Sequence, residues 1–175
     1  MCVACPLGGF TDPSPDAELA TNVTDCLCPQ NSEQVYEVGL NPITQAFEPY
    51  VRACQCKEGY GGDAATLVLC TQCGNSAYKD EVGNVQCTAC PAGSSIAGEN
   101  QAATDIGECV CQGNSEMNAA MGRCECLPGY GGDASNTAVG CSPCGQQAYK
   151  SETGNLQCTS CPAGSSIADE STNAT

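Results

Sequence analysis

Cysteine dictates what this chain can fold into: its 18 cysteines occur only as close pairs, and the spacing within the pairs repeats in a fixed order. The pairs are Cys2–Cys5, Cys26–Cys28, Cys54–Cys56, Cys70–Cys73, Cys87–Cys90, Cys109–Cys111, Cys124–Cys126, Cys141–Cys144 and Cys158–Cys161. Read as the number of residues enclosed, the order is two, one, one, two, given twice and begun a third time. Cysteine at about a tenth of the residues marks a disulfide scaffold. Such bridges persist only in an oxidising compartment, so the expected location is extracellular or at the cell surface.

The chain lacks the material for an ordinary core. It has no Trp and only two Phe, and Ala and Cys inflate its apolar fraction. Bridges must therefore supply what a core would otherwise provide. Closing a loop of about 15 residues removes roughly 3 kcal/mol of unfolded-state entropy in the chain-entropy model. The expected fold is small, disulfide-rich and made mostly of short β-hairpins and loops. It forms an elongated tandem array with little hydrophobic core, because helical periodicity is missing and Gly, Pro, Asn and Asp punctuate every few residues.

The duplication is plain when Cys73–Glu99 is laid over Cys144–Glu170, an offset of 71: CGNSAYKDEVGNVQCTACPAGSSIAGE matches CGQQAYKSETGNLQCTSCPAGSSIADE at most positions. GYGGDA also occurs twice, at Gly59–Ala64 and Gly129–Ala134. The repeats are assigned to residues 1–86, 87–157 and 158–175, the last one truncated. Each unit of such an array contacts its neighbours. The first repeat is longer because Cys28–Cys54 encloses more residues than Cys111–Cys124, and the extra stretch, about 34–50, reads as a surface-loop insertion. An ending inside a third round, with no apolar leader before Cys2, points to an excerpt of a longer array. Glycine in the Gly-Tyr-Gly-Gly runs suits a tight turn. Tyr60, Tyr78, Tyr130 and Tyr149 recur in register and are expected to cover adjacent disulfides.

Twenty acidic residues against five basic ones give a net charge of −15. Nucleic acid and anionic membrane surfaces both need a basic footprint and are poor partners. No stretch approaches the roughly 20 apolar residues of a membrane span, so no direct membrane insertion is expected in this segment. Histidine is absent, which removes Ser-His-Asp and Cys-His catalysis and mixed Cys/His zinc sites. The C-x-x-C pairs invite a four-cysteine zinc or a redox reading, but their alternation with C-x-C pairs and the scarcity of basic neighbours argue against both. Carboxylates are scattered without a pocket-forming framework, and an enzyme is not expected.

Cys111-x12-Cys124-x-Cys126-Leu-Pro-Gly-Tyr-Gly-Gly…Cys141 resembles the second half of an EGF-like module, as do Cys54, Cys56, Gly59–Gly62 and Cys70. Cys144-Gly…Ala-Tyr-Lys…Gly-Asn-Leu-Gln-Cys158-x-x-Cys161 resembles a growth-factor-receptor-type cysteine-rich repeat. Together they are similar to the tandem modules of protist and algal surface proteins, such as ciliate immobilisation antigens and mastigoneme proteins. Cys109-x-Cys111 departs from an ordinary EGF module, which spaces its second and third cysteines more widely. The resemblance implies Cys56–Cys70, Cys73–Cys87, Cys126–Cys141 and Cys144–Cys158 as loop-closing bridges. It also implies the crossed pairs Cys90–Cys111 with Cys109–Cys124, and Cys5–Cys28 with Cys26–Cys54. Cys2 and Cys161 are left needing partners beyond the chain ends.

Two sequons, Asn22-Val-Thr24 and Asn173-Ala-Thr175, occupy equivalent places and are expected to carry N-linked glycans; Ala102-Ala-Thr104 stands there in the second repeat. Asp105-Ile-Gly-Glu108-Cys109 is similar to the opening of a calcium-binding EGF module, with Gly107 where a ligand would stand. Calcium needs six or more oxygens, so a solvated acidic loop is the favoured reading and calcium at Asp105 and Glu108 the alternative; no other cofactor is expected. Repetition without a pocket points to a structural module of an extracellular filament or cell-surface coat, a glycosylated spacer whose partners are copies of itself. The alternative is a ligand-binding ectodomain of a receptor or adhesin, using an exposed loop such as Gln34–Tyr50.

Overall fold

The computed structural model describes residue 9 and residues 26–41, 45–66, 68–98 and 101–167. Among them every sheet is two-stranded, and the only helix is a single 3-10 turn at Ile106–Glu108. The strands are β1 (Ser32–Leu40), β2 (Phe47–Cys56), β3 (Tyr60–Asp63), β4 (Val68–Gln72), β5 (Ala77–Tyr78), β6 (Thr88–Ala89) and β7 (Ser94–Ile96). They continue as β8 (Cys109–Cys111), β9 (Ser115–Asn118), β10 (Arg123–Cys126), β11 (Tyr130–Asp133), β12 (Gly140–Pro143), β13 (Ala148–Tyr149) and β14 (Thr159–Ser160). They pair two by two in chain order, β1 with β2, β3 with β4 and so on to β13 with β14. Two-stranded ribbons of this length are marginal alone in water, so the bridges between them hold the fold.

Those bridges obey one rule. The second cysteine of each pair joins the first cysteine of the next: Cys28–Cys54, Cys56–Cys70, Cys73–Cys87, Cys90–Cys109, Cys111–Cys124, Cys126–Cys141 and Cys144–Cys158. Cys26 is also disulfide-bonded, and Cys161 is the free cysteine among the described residues. The structure thus contains the four loop-closing pairs implied by the resemblance and replaces the crossed ones. Cys90 pairs with Cys109, not Cys111, and Cys124 pairs with Cys111, not Cys109. The reason lies in β8: its two cysteines stand about 6.6 Å apart along an extended strand, so each sulfur reaches only its own neighbour. Cys109, opposite Ile96, lies 5.7 Å by Cα from Cys90, and Cys111, opposite Ser94, lies 5.7 Å from Cys124. The Cys5–Cys28 and Cys26–Cys54 pairs fail likewise, because the β1–β2 ribbon brings Cys54 within 5.5 Å of Cys28. A strictly sequential ladder lacks the crossed pairs that the EGF-like comparison implied.

The chain forms two compact units. The first takes residues 1–74, 78–88 and 100–105; the second takes 75–77, 89–99 and 106–175. Each has a miniature core of cystine and alanine. In the first, Cys54, Cys56, Ala64 and Cys70 are buried with Cys28 and Tyr60 against them. In the second, Cys124, Cys126 and Ala134 are buried with Cys111, Tyr130 and Cys141 against them. Tyr60 and Tyr130 therefore pack on disulfides as expected. Tyr78 and Tyr149 join neither cluster, and Tyr149 is 39% exposed.

The Gly-Tyr-Gly-Gly runs are only partly turns. Gly59 and Gly129 lie in turns with φ of 75° and 82°, but the following two glycines lie in β3 and β11. Gly61 has no side chain because the next disulfide lies against its backbone: a Cβ there would stand 2.7 Å from Cys87 Sγ, and at Gly131 2.6 Å from Cys158 Sγ. Sterics at a bridge, rather than backbone conformation, select glycine at these two positions.

Candidate functional site

The insertion in the first repeat is a regular β-ribbon rather than an irregular loop. Its base matches the second repeat residue for residue. Ser32↔Cys56, Glu33↔Gln55 and Gln34↔Cys54 correspond to Ser115↔Cys126, Glu116↔Glu125 and Met117↔Cys124. Ser32 Oγ donates to the Pro29 carbonyl at 2.5 Å, as Ser115 Oγ does to the Gln112 carbonyl at 2.5 Å. In the second repeat the strands then turn back at once, closing through Asn118, whose carbonyl accepts from Gly122 N at 2.9 Å. In the first they run on to Leu40↔Phe47, with a bulge between Val35 and Tyr36. The bridges at the two bases record the difference: Cys28–Cys54 spans a sequence separation of 26, Cys111–Cys124 one of 13.

The added strand alternates apolar residues with Glu37 and Gly39. Side chains on a strand alternate between its faces, so Tyr36, Val38 and Leu40 stand on one face, and Phe47, directly across from Leu40, joins them. That face is open to solvent, with Tyr36 57%, Val38 66%, Leu40 59% and Phe47 78% exposed. A run of exposed large apolar residues is unusual on a protein surface. The ribbon is held in shape by polar groups. Asn41, itself buried, donates from Nδ2 to Glu48 Oε1 at 2.8 Å, while its backbone N–H donates to the Ala46 carbonyl at 2.8 Å. Near the base Gln34 Nε2 donates to the Cys26 carbonyl, and Tyr36 OH donates to Gln34 Oε1 at 2.7 Å.

Beneath each ribbon lies a polar frame that sequence reasoning missed. Asn84 Oδ1 accepts from the backbone N–H groups of Cys56 and Ala64, both at 3.1 Å, and its Nδ2 donates to the Cys54 carbonyl at 3.0 Å. Asn155 repeats this with Cys126 at 3.2 Å, Ala134 at 3.0 Å and Cys124 at 3.0 Å. Lys79, 2% exposed, donates from Nζ to the carbonyls of Cys56 and Lys57, both at 3.1 Å. Lys150, 7% exposed, does so to Cys126 at 2.8 Å and Leu127 at 3.3 Å. Burial pushes both ammonium groups below the usual lysine range, partly offset at Lys79 by Glu81, Glu58 and Asp80 and at Lys150 by Glu125. The signal was present in the shared Ala-Tyr-Lys and Gly-Asn of the aligned repeats.

The other sequence candidates fall as follows. Asn22 and Asn173 lie outside the described residues. Asp105 immediately precedes the 3-10 turn that ends at Glu108. Among the described residues no group of three or more His, Cys, Asp or Glu side chains is placed to hold a metal ion. Next to the ribbon's base, Gln30, Asn31, Tyr60, Leu69, Thr71 and Gln72 line an open concavity of about 500 Å³.

Two stretches of this chain, residues 59–109 and 131–175, match the family model described as tyrosine-protein kinase ephrin type A/B receptor-like. Each begins within a Gly-Tyr-Gly-Gly segment; the first holds Cys73–Cys87 and Cys90–Cys109 and the second holds Cys144–Cys158. The chain is also similar to human ephrin type-B receptor 6, with 40% identity over 53 residues, which is 30% of this chain and 5% of that receptor's length. It thus spans a small part of that curated relative. Sequential bridges, cystine cores and these matches agree on a cysteine-rich, receptor-type extracellular repeat. With more than half of its residues inside the two matched stretches, the chain belongs to the ephrin type A/B receptor-like family.

Proposed function

We propose that this chain is a non-catalytic, ligand-binding part of the ectodomain of a cell-surface receptor or adhesin, with the β1–β2 ribbon as its contact element. The observation that carries this reading is the exposed apolar face Tyr36–Val38–Leu40–Phe47, built on a base whose counterpart in the second repeat ends without it. A spacer needs no such extension, whereas a recognition surface needs apolar anchors on a rigid element. The family relationship supports the same reading. Replacing residues 35–53 with residues 118–123 grafts the short turn onto the same base and keeps Cys28–Cys54. Labelled wild-type chain should bind saturable sites on cells of its source, and the graft should lose that binding while retaining its bridges. Undiminished binding by the graft would overturn the proposal.

A second reading, a filament or coat spacer built from copies of the chain, is favoured by the match of Cys73–Glu99 with Cys144–Glu170 at most positions. N-linked glycans on Asn22 and Asn173 are compatible with either reading. Glycosidase-sensitive extra mass on both asparagines in native material is the expected result.

A further inference from the structure

We infer that the concavity beside the base of the β1–β2 ribbon binds a neutral saccharide, at a site apart from the ribbon's apolar face. Gln30, Asn31, Tyr60, Leu69, Thr71 and Gln72 line it over about 500 Å³, within the range of about 300–1,000 Å³ that small-ligand sites take. Amide and hydroxyl residues thus converge on one dish, and Leu69, 65% exposed, supplies its apolar surface together with Tyr60. The second repeat has the same frame but lacks three of these side chains. Cys56–Cys70 closes β3–β4 as Cys126–Cys141 closes β11–β12, and Tyr60↔Gln72 corresponds to Tyr130↔Pro143. Where the first repeat has Gln30, Leu69 and Gln72, the second has Gly113, Gly140 and Pro143. The turn at the edge of the dish differs as well. In the second repeat Gly113 takes a φ of 62°, whereas in the first the left-handed residue stands one place later and is Asn31, at 63°. A side chain is thereby held at a backbone conformation that glycine adopts without cost, a feature that clusters at ligand sites. Asn31 Nδ2 donates to the Cys70 carbonyl at 3.1 Å and ties that turn to β4.

The lining selects the class of ligand. It contains no charged side chain. An anion would meet the field of a chain with a net charge of −15, and a cation would find no carboxylate in the dish to replace its water. A purely apolar ligand would leave the amides without partners. A carboxamide carries donors and an acceptor on one rigid plane, and a hydroxyl both donates and accepts. Adjacent ring hydroxyls, each a donor and an acceptor, match such groups in pairs. The C–H face of a sugar ring matches Leu69 and the Tyr60 ring.

The test uses the intact, disulfide-bonded, isotope-labelled chain and magnetic resonance titration. Lactose, maltose and N,N′-diacetylchitobiose are the neutral probes, digalacturonate the anionic one, and acetyl-Gly-Ser-Gly-Ser-amide an uncharged peptide. The side-chain amide signals of Gln30 and Gln72 should shift saturably with at least one neutral saccharide. Gln30→Gly/Leu69→Gly, which installs the second repeat's residues, should weaken that binding about tenfold or more, with unreduced mass and amide exchange in β1–β2 verifying the ladder. Should that variant lose its bridges, Gln72→Ala, on an exposed side chain, should still weaken binding about threefold or more. The graft that shortens the ribbon keeps every lining residue and should bind the saccharide as wild type does, so the two sites fail separately. No saturable shift with any of the three neutral saccharides, or binding unchanged in the variants, would overturn the inference. So would tighter binding of digalacturonate, shifts with the peptide alone, or loss of saccharide binding in the graft.

Discussion

At the scale of single residues, the fold depends on a few polar side chains that stand in for a core. Lys79 and Lys150 place charged heads, almost without exposure, on pairs of backbone carbonyls that also accept from the backbone N–H groups of Gly83 and Tyr60 and of Gly154 and Tyr130. A buried lysine is protected from reagents, so an amine-reactive label on native protein should modify Lys57, which is exposed, and spare Lys79 and Lys150. Peptide mass spectrometry reads the difference, and equal labelling of the three would contradict the burial. Asn84 and Asn155 each satisfy three backbone groups, and truncation strands all three. Asn84→Ala and Asn155→Ala should each cost about 2–4 kcal/mol, seen as faster amide exchange at Cys56 and Ala64 or at Cys126 and Ala134. An effect under about 0.5 kcal/mol would mean that water replaces the side chain. These residues were legible in the aligned sequence only as shared letters. What they contact depends on how the disulfides bring separate loops together.

At the scale of elements, the two ribbons are one design in two lengths, and they differ in their response to acid. In β9–β10, Glu125 accepts from Asn118 Nδ2 at 2.9 Å and from Arg123 Nε and Nη2 at 3.1 and 2.9 Å. The Asn118 hydrogen bond, followed by those from Arg123, holds its carboxyl below the usual carboxylate range. A depressed carboxylate contributes stability that is complete above its unfolded pKa and is lost as pH falls through the folded value. Amide exchange in β9–β10 should therefore accelerate below the ordinary carboxylate range. The base of β1–β2 has Gln55 at the equivalent place and lacks that contribution. Glu125→Gln should remove the pH dependence of β9–β10; the same acid response in that variant would place the titration elsewhere. The length of β1–β2 illustrates how far sequence carries. The alternation Tyr36, Val38, Leu40 is that of a strand with one apolar face, which the reading of 34–50 as a surface loop passed over, and apolar faces normally turn inward. That this one meets solvent is a matter of what packs against it, which no local pattern encodes.

For the whole molecule, the described residues bury chiefly cystine and alanine and are held by a sequential ladder of disulfides, each joining one cysteine pair to the next. The bridges that close the Gly-Tyr-Gly-Gly and Ala-Tyr-Lys loops are the ones that the resemblance implied. At the C-x-C pairs both partners lie two residues apart, so spacing alone left open which sulfur faces which loop, and the analogy with a crossed module chose wrongly. Strand β8 decides the matter by pointing Cys109 toward Cys90 and Cys111 toward Cys124. The cystine cores and the reach of the β1–β2 ribbon depend on that connectivity. The direct measurement is partial reduction with differential alkylation of the native chain, followed by electron-transfer fragmentation of the peptide containing Cys109-Val110-Cys111. Cys90 linked to Cys109 and Cys111 linked to Cys124 is the result expected here; Cys90 linked to Cys111 and Cys109 linked to Cys124 would contradict the ladder.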